Sequence, residues 1–185
     1  MTGIPFFRQL RSAAVLCLVG VTLSGCGEGD PTGASPNSIS QLFGNQLYRS
    51  DGVPVGSEAL EGKTLIGIFF ANPGCPACGA FTPLLVDAYQ ELKESGRSFE
   101  VVLVSLGLSD AMLQQYMAEM EMPWLAESPG SKQANALVQR YNVRWVPTLV
   151  IVDKDARTVS MFGRDEVAEY GAAAYDDWMA TAPGS

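Results

Sequence analysis

The chain has 185 residues, 47% of them hydrophobic and 17% charged, with a formal charge of −8 and no histidine. That length suits one domain with a targeting segment, and the composition is that of a chain with a core rather than a disordered one. The acidic balance speaks against nucleic acid, whose binders need basic patches, and the missing histidine removes every mechanism built on an imidazole base and every His-ligated zinc, copper or haem site.

Taken in chain order, Arg8 and Arg11 form a short positive region, followed over 12–23 by an apolar stretch without a charge. The stretch is shorter than the ~20 residues that span a bilayer, so it reads as an export signal. It ends in Leu23-Ser24-Gly25-Cys26. Small residues before a cleavage point suit any signal, so an ordinary signal cut elsewhere and an uncleaved anchor stay open. The cysteine directly after them makes the segment resemble the lipobox of bacterial lipoproteins. That resemblance implies a signal peptide over 1–25 and diacylglyceryl modification of Cys26, with lipid chains supplying the membrane anchor. Residues 26–40 hold this cysteine and a stretch rich in Gly, Pro, Ser and Asp. Such a stretch buries too little apolar surface to fold and is expected to be a flexible tether. The folded domain is expected over 41–185.

The domain opens with residues 46–55, which read as a hairpin turning at Asp51-Gly52. Residues 64–71 (TLIGIFFA) are a continuous apolar run with β-branched and aromatic members. They are expected to form a buried parallel strand. Asn72-Pro73-Gly74 breaks the run, Cys75 follows, and Pro76 opens a helical pattern reaching about Glu94. Its apolar face is Phe81, Leu84, Leu85, Ala88, Tyr89 and Leu92, and Gly96 ends it. A second strand is expected over 99–106, then helices over 109–121 and 131–141, the first capped by Ser109. Residues 147–152 read as a strand, 153–156 as a turn, 157–162 as the paired edge strand, and 165–179 as a final helix. Met112, Met117, Met120 and Met122 read as helix packing rather than a copper site.

Four cysteines are present. Cys17 lies in the apolar signal and Cys26 is the lipid site, which leaves Cys75 and Cys78 as Cys-Pro-Ala-Cys. Three readings of this pair compete. A zinc site takes about four ligands, and the domain offers no further Cys or His. A structural disulfide suits an oxidising compartment, but a loop this small removes little entropy from the unfolded chain. The third reading is a redox-active dithiol. Its position supports it, because Cys75 falls at the junction of a buried strand and a helix N-terminus. Unpaired N–H groups and the helix dipole favour a thiolate there. Cys78, one turn on, can resolve a mixed disulfide made by Cys75.

The arrangement of strand, Cys-x-x-Cys, helix and a later Val146-Pro147-Thr148 resembles the thioredoxin superfamily. Within it, Phe69-Phe70-Ala71, Phe81-Thr82-Pro83, Phe99-Glu100-Val101-Val102 and Met122-Pro123-Trp124-Leu125-Ala126 are similar to the tryparedoxin and nucleoredoxin branch, over about residues 46–165. The resemblance implies an α/β thioredoxin-like fold: a central mixed β-sheet flanked by helices, here with an N-terminal β-hairpin extension. It implies a cis Pro147 beside the dithiol, a Val146 backbone that pairs with an extended substrate, and substrate contacts from Trp145 and Pro76. It places a helix-kinking proline at Pro83. Trp124 and Trp145 read as core or groove walls. The implied activity is thiol–disulfide exchange by Cys75 and Cys78, with no metal and no cofactor beyond the pair itself. The implied partners are protein or small-molecule disulfides, a membrane or periplasmic electron donor, and the bilayer through Cys26. The expected location is the extracytoplasmic, periplasmic face of a bacterial envelope. Three departures stand out: Gly74 replaces the usual Trp before the first cysteine, Phe69 stands where thioredoxin has a buried aspartate, and Ala77 replaces a frequent second proline. A disulfide oxidase or isomerase, and a binding module that keeps the fold without the chemistry, remain as rivals.

Overall fold

The computed structural model describes residues 39–44 and 46–182. The expected signal, Cys26 and most of the expected tether lie outside them. The first described element is a short helix, α1 (Ile39–Phe43), which buries Ile39, Leu42 and Phe43. Ile39, the first described residue, is already buried, two residues before the position expected for the domain start.

The hairpin is present as β1 (Leu47–Tyr48) and β2 (Pro54–Val55), paired antiparallel with Leu47 opposite Val55. Gly52 takes φ +79°, and its N–H donates to the Arg49 carbonyl at 2.9 Å. The Asp51 carboxylate receives the Val53 N–H at 3.0 Å, which holds the turn. A single 3₁₀ turn, Ser57–Leu60, leads to β3 (Leu65–Phe70), whose six residues are all buried.

Strand β3 is an interior strand of a seven-stranded sheet that also contains β4 (Phe99–Val104), β5 (Leu125–Glu127), β6 (Thr148–Asp153) and β7 (Thr158–Ser160), in the order β2-β1-β5-β4-β3-β6-β7. Its partner β4 runs parallel and its partner β6 antiparallel, so the sheet is mixed, as expected. Side chains alternate between two cores. Leu65, Phe69, Phe99, Val101 and Leu103 meet α2 (Pro76–Glu94), α3 (Asp110–Glu119), α5 (Gly163–Tyr170) and α6 (Ala174–Thr181). Ile66, Ile68, Phe70, Val102 and Val104 meet α1 and α4 (Lys132–Arg140). Covered on both faces, the strands read as continuous apolar runs. Gly67 is needed where it stands, since a Cβ there would lie 3.1 Å from Leu149 Cδ1 and 3.2 Å from Phe99 Cζ.

Helix α2 has the expected bounds. It closes in a Schellman motif: Gly96 takes φ +71°, Arg97 N–H reaches the Leu92 carbonyl at 2.9 Å, and Gly96 N–H reaches that of Lys93 at 3.1 Å. Pro83 is inside it, as expected. Leu84 departs from expectation, being 45% exposed. The buried stripe runs through Cys78, Phe81, Leu85, Ala88, Tyr89 and Leu92, and at ~100° per residue Leu84 falls outside it. Met117 and Met122 pack in the core as expected, but Met112 is exposed. The final helix is not continuous. Gly171, at φ +57°, ends α5, and a 3₁₀ turn (Gly171–Ala173) separates it from α6. Among the described residues no helix is long and apolar enough to cross a membrane.

Candidate functional site

Strand β3 delivers the chain to Asn72-Pro73-Gly74. The Asn72 carboxamide oxygen accepts the Ser105 hydroxyl at 2.7 Å and the Leu106 N–H at 3.3 Å, tying the exit of β3 to that of β4. Gly74 takes φ +75°, and beyond its two chain neighbours no atom lies within 4 Å of where its Cβ would be. The chain then turns into α2 with Cys75 as the N-cap.

Here the cap is a sulfur atom. Cys75 Sγ accepts the Cys78 N–H at 3.2 Å, one of the donors that a helix N-terminus leaves unpaired. Pro76 occupies the first helical position and has no N–H to satisfy. The Cys75 thiol is pulled below its ordinary 9.0, first by the hydrogen bond from the Cys78 thiol, against partial desolvation, and then by the backbone N–H groups of Cys78 and Ala77. Cys78 moves the other way. It is 0% exposed, and burial, followed by its hydrogen bond to Cys75, pushes its thiol up to about 12. Both cysteines are free thiols, the first half-buried and the second buried. One short turn therefore holds two thiols of opposite character: an accessible sulfur that favours the anion and a shielded one that keeps its proton.

The Val146–Pro147 peptide bond is cis. It places the Val146 carbonyl 3.6 Å from Cys75 Sγ, which donates to it as a thiol. Trp145, Val146 and Pro147 line a groove of about 470 Å³ together with Ala77 from the first turn of α2. The residues expected around the dithiol thus converge: Cys75 on Cys78 and Val146, and Trp145, Val146 and Pro147 on the turn that Pro76 begins. The two tryptophans separate. Trp124 is buried in the core, and Trp145 is 74% exposed at the groove. Cys26 lies outside the described residues.

Behind Cys78 the surroundings are aromatic. Phe69 meets Phe81 and Trp124 edge-on, with centroids 5.7 and 6.0 Å apart. It gives the buried thiol no proton acceptor. The Tyr116 hydroxyl is buried without a hydrogen-bond partner. Burial pushes it up to about 12, with a further contribution from the charge of Cys78, while the nearby Thr82 hydroxyl pulls it down without reaching hydrogen-bond geometry. The Thr82 hydroxyl donates to the Cys78 carbonyl at 2.8 Å. Among the described residues no group of three or more Cys, Asp or Glu gathers as a metal site would require.

Sequence reasoning missed several residues here. The Asn72–Ser105 tie carried no signal beyond a loop asparagine. Arg144, Met161, Phe162 and Arg164 line the groove. Met161 and Phe162 fall at the end of the edge strand expected over 157–162, but β7 ends at Ser160 and leaves both exposed.

A thioredoxin-like family profile matches residues 62–158, which include both cysteines and Pro147. Bovine nucleoredoxin (Bos taurus) is 31% identical over 174 residues, covering 90% of this chain and 39% of the relative. The chain therefore spans about two-fifths of the length of such curated relatives. Among solved structures, the thioredoxin related protein 16 of Carcinoscorpius rotundicauda superposes with a TM-score of 0.65 at 38% identity, covering 74% of this chain and 96% of that one. Tryparedoxin II from C. fasciculata gives a TM-score of 0.65 at 29% identity, covering 73% and 89%.

Proposed function

The chain belongs to the thioredoxin-like family, and on that footing we propose that it is a thiol–disulfide oxidoreductase that reduces disulfides from the outer face of a bacterial membrane. The observation that carries this is the asymmetric dithiol: Cys75 Sγ accepts a helix N-terminal N–H, while Cys78 is buried behind it. The Cys75 thiolate attacks one sulfur of a substrate disulfide. A mixed disulfide forms, and the first substrate thiolate leaves and takes a proton. Cys78 then attacks Cys75 Sγ, and its proton passes to the second substrate sulfur, which leaves as a thiol. The substrate gains two electrons and the enzyme ends with a Cys75–Cys78 disulfide. An electron donor in the membrane or periplasm then returns the pair to the dithiol. The pair itself is the redox group, with no further cofactor.

Trp145, Val146, Pro147 and Pro76 form the surface that receives the substrate. The Val146 carbonyl is engaged by the Cys75 thiol only while that thiol holds its proton. Thiolate formation frees the carbonyl for a substrate N–H. The lipobox-like Leu23-Ser24-Gly25-Cys26 supports anchoring through a lipidated Cys26, and residues 27–38 have the composition of a tether.

An equilibrium redox titration of the full chain tests the reading. A potential near ~−270 mV identifies a reductase fed by a donor, and one near ~−120 mV identifies an oxidase instead. Cys75→Ser should abolish disulfide reduction, and Cys78→Ser should accumulate a mixed disulfide. Full activity in Cys75→Ser would sink the mechanism. Cys26→Ala should release the chain from the membrane fraction; retention there would rule out the lipid anchor.

A further inference from the structure

Seven large apolar side chains are exposed among the described residues, and three of them, Trp145, Met161 and Phe162, line the groove of about 470 Å³ beside the dithiol. Trp145 and Phe162 are 74% and 69% exposed. They come from two different segments, the loop before β6 and the start of α5, which converge on one site. Aromatic side chains held this far into water are characteristic of a surface that a partner covers. A second cavity of about 220 Å³ lies on the other side of the same loop, with an apolar floor of Phe70, Val104 and Val138. Arg144, Trp145 and Val146 line both cavities, so Trp145 stands on the ridge between them.

The opposite flank is bare. Gly74 puts no side chain beside Cys75, and apart from its two chain neighbours no residue comes within 4 Å of where one would start. The aromatic wall of this site is therefore on the side of Pro147 rather than on the side of the loop that enters α2.

The charges of the groove are Arg144, Arg164 and Asp165. Arg164 and Asp165 form an ion pair at 2.7 Å and neutralise each other. Arg144 donates to the Asn142 side-chain oxygen at 3.3 Å, and among the described residues no carboxylate pairs with it. In a chain of charge −8, this groove keeps one uncompensated cation on an apolar rim.

We propose that the substrate is a protein disulfide whose cysteine is flanked by a large apolar side chain, which packs on Trp145 and Phe162, and by a carboxylate, which pairs with Arg144. The inference rests on the oxidoreductase reading above and narrows it from disulfides at large to one class of protein segment. The apolar side chain supplies most of the affinity, and the carboxylate fixes the direction in which the segment crosses Val146.

The test uses the full chain and four synthetic peptide disulfides that differ only at the two flanking positions: Phe or Ala, combined with Asp or Lys. A small disulfide without flanking residues, hydroxyethyl disulfide, is the reference. The expected result is a kcat/KM for Phe over Ala peptides higher by ~10-fold or more, as burying an aromatic side chain implies. Asp over Lys peptides should differ by about threefold, as an exposed charge pair implies, and this smaller preference should fade with added salt. Arg144→Glu should reverse the Asp-over-Lys order while leaving the Phe-over-Ala order intact. Equal kcat/KM on all four peptides, or a Lys preference in the wild-type chain, overturns the proposal if hydroxyethyl disulfide is turned over. Failure to reduce hydroxyethyl disulfide defeats the oxidoreductase reading itself, and the substrate assignment with it.

Discussion

At Cys75 one sulfur atom both caps a helix and is the nucleophile of the proposed reaction, and its acidity depends first on its neighbour. The hydrogen bond from the Cys78 thiol is the leading cause of its lowered pKa. Replacing Cys78 with Ala removes that donor and leaves only the backbone N–H groups. The pH midpoint for alkylation of Cys75 should therefore rise in Cys78→Ala relative to wild type; an unchanged midpoint would place the control in the helix terminus alone. Tyr116 offers a second measurement at this scale. Its hydroxyl is buried without a partner, which costs free energy on folding. Tyr116→Phe should be as stable as wild type, or more stable by up to ~1 kcal/mol, in denaturant unfolding. A loss of more than that would reveal a partner for the hydroxyl. Local signals made the dithiol legible in the sequence: an apolar run, a break, and a proline-started helix around two cysteines. Tyr116, Asn72 and Arg144 were not legible, because what each does depends on a neighbour more than thirty residues away or on an exposure that no local pattern encodes.

At the scale of elements, the long apolar runs and the capped helices could be read directly. Ser109 and Ser131 receive the N–H groups of Met112 and Ala134 at 3.3 and 2.9 Å, as helix-start signals should. Strand β5 could not be read. It has three residues, and it exists because Val102 and Leu103 of β4 and residues 47 and 48 of β1 pair with it. The break in the last helix was missed for a different reason. An isolated glycine inside a helical pattern is often tolerated, and only its positive φ marks Gly171 as a terminus. Two glycines, one inside α2 and one just past its end, should respond oppositely to alanine. Gly96 needs φ +71°, so Gly96→Ala should lower stability by about 1 kcal/mol. Gly79 is in the helix with open space around its Cβ position, so Gly79→Ala should raise stability by ~0.5–1 kcal/mol. Thermal unfolding of the two variants checks both signs, and a shift of the same sign in both would contradict the capping argument.

For the molecule as a whole, stability should depend on pH through Glu127 at the end of β5. Its side chain is buried, with one oxygen taking the Ser131 hydroxyl at 2.8 Å and the other unpaired. Burial raises its pKa from 4.5 to about 7. Between those values the folded state keeps a proton that the unfolded state has lost. The stabilisation is complete below pH 4.5 and is lost as pH rises through 7, a difference of up to ~3 kcal/mol. Glu127→Gln should flatten this slope and unfold later than wild type at pH 8, and an unaltered slope would exclude Glu127 as its origin. Redox state bears on the same folding equilibrium. When Cys75 and Cys78 join, the sulfur that receives the Cys78 N–H loses the charge that makes it a strong acceptor. Folding and oxidation then close a thermodynamic cycle. The gap in unfolding free energy between the dithiol and disulfide forms equals the gap in potential between the folded and unfolded pair, with ~1.4 kcal/mol corresponding to ~30 mV. Denaturation curves of the two forms therefore yield an electrochemical quantity without an electrode, and the capping bond at the start of α2 shifts that quantity toward the more oxidising side.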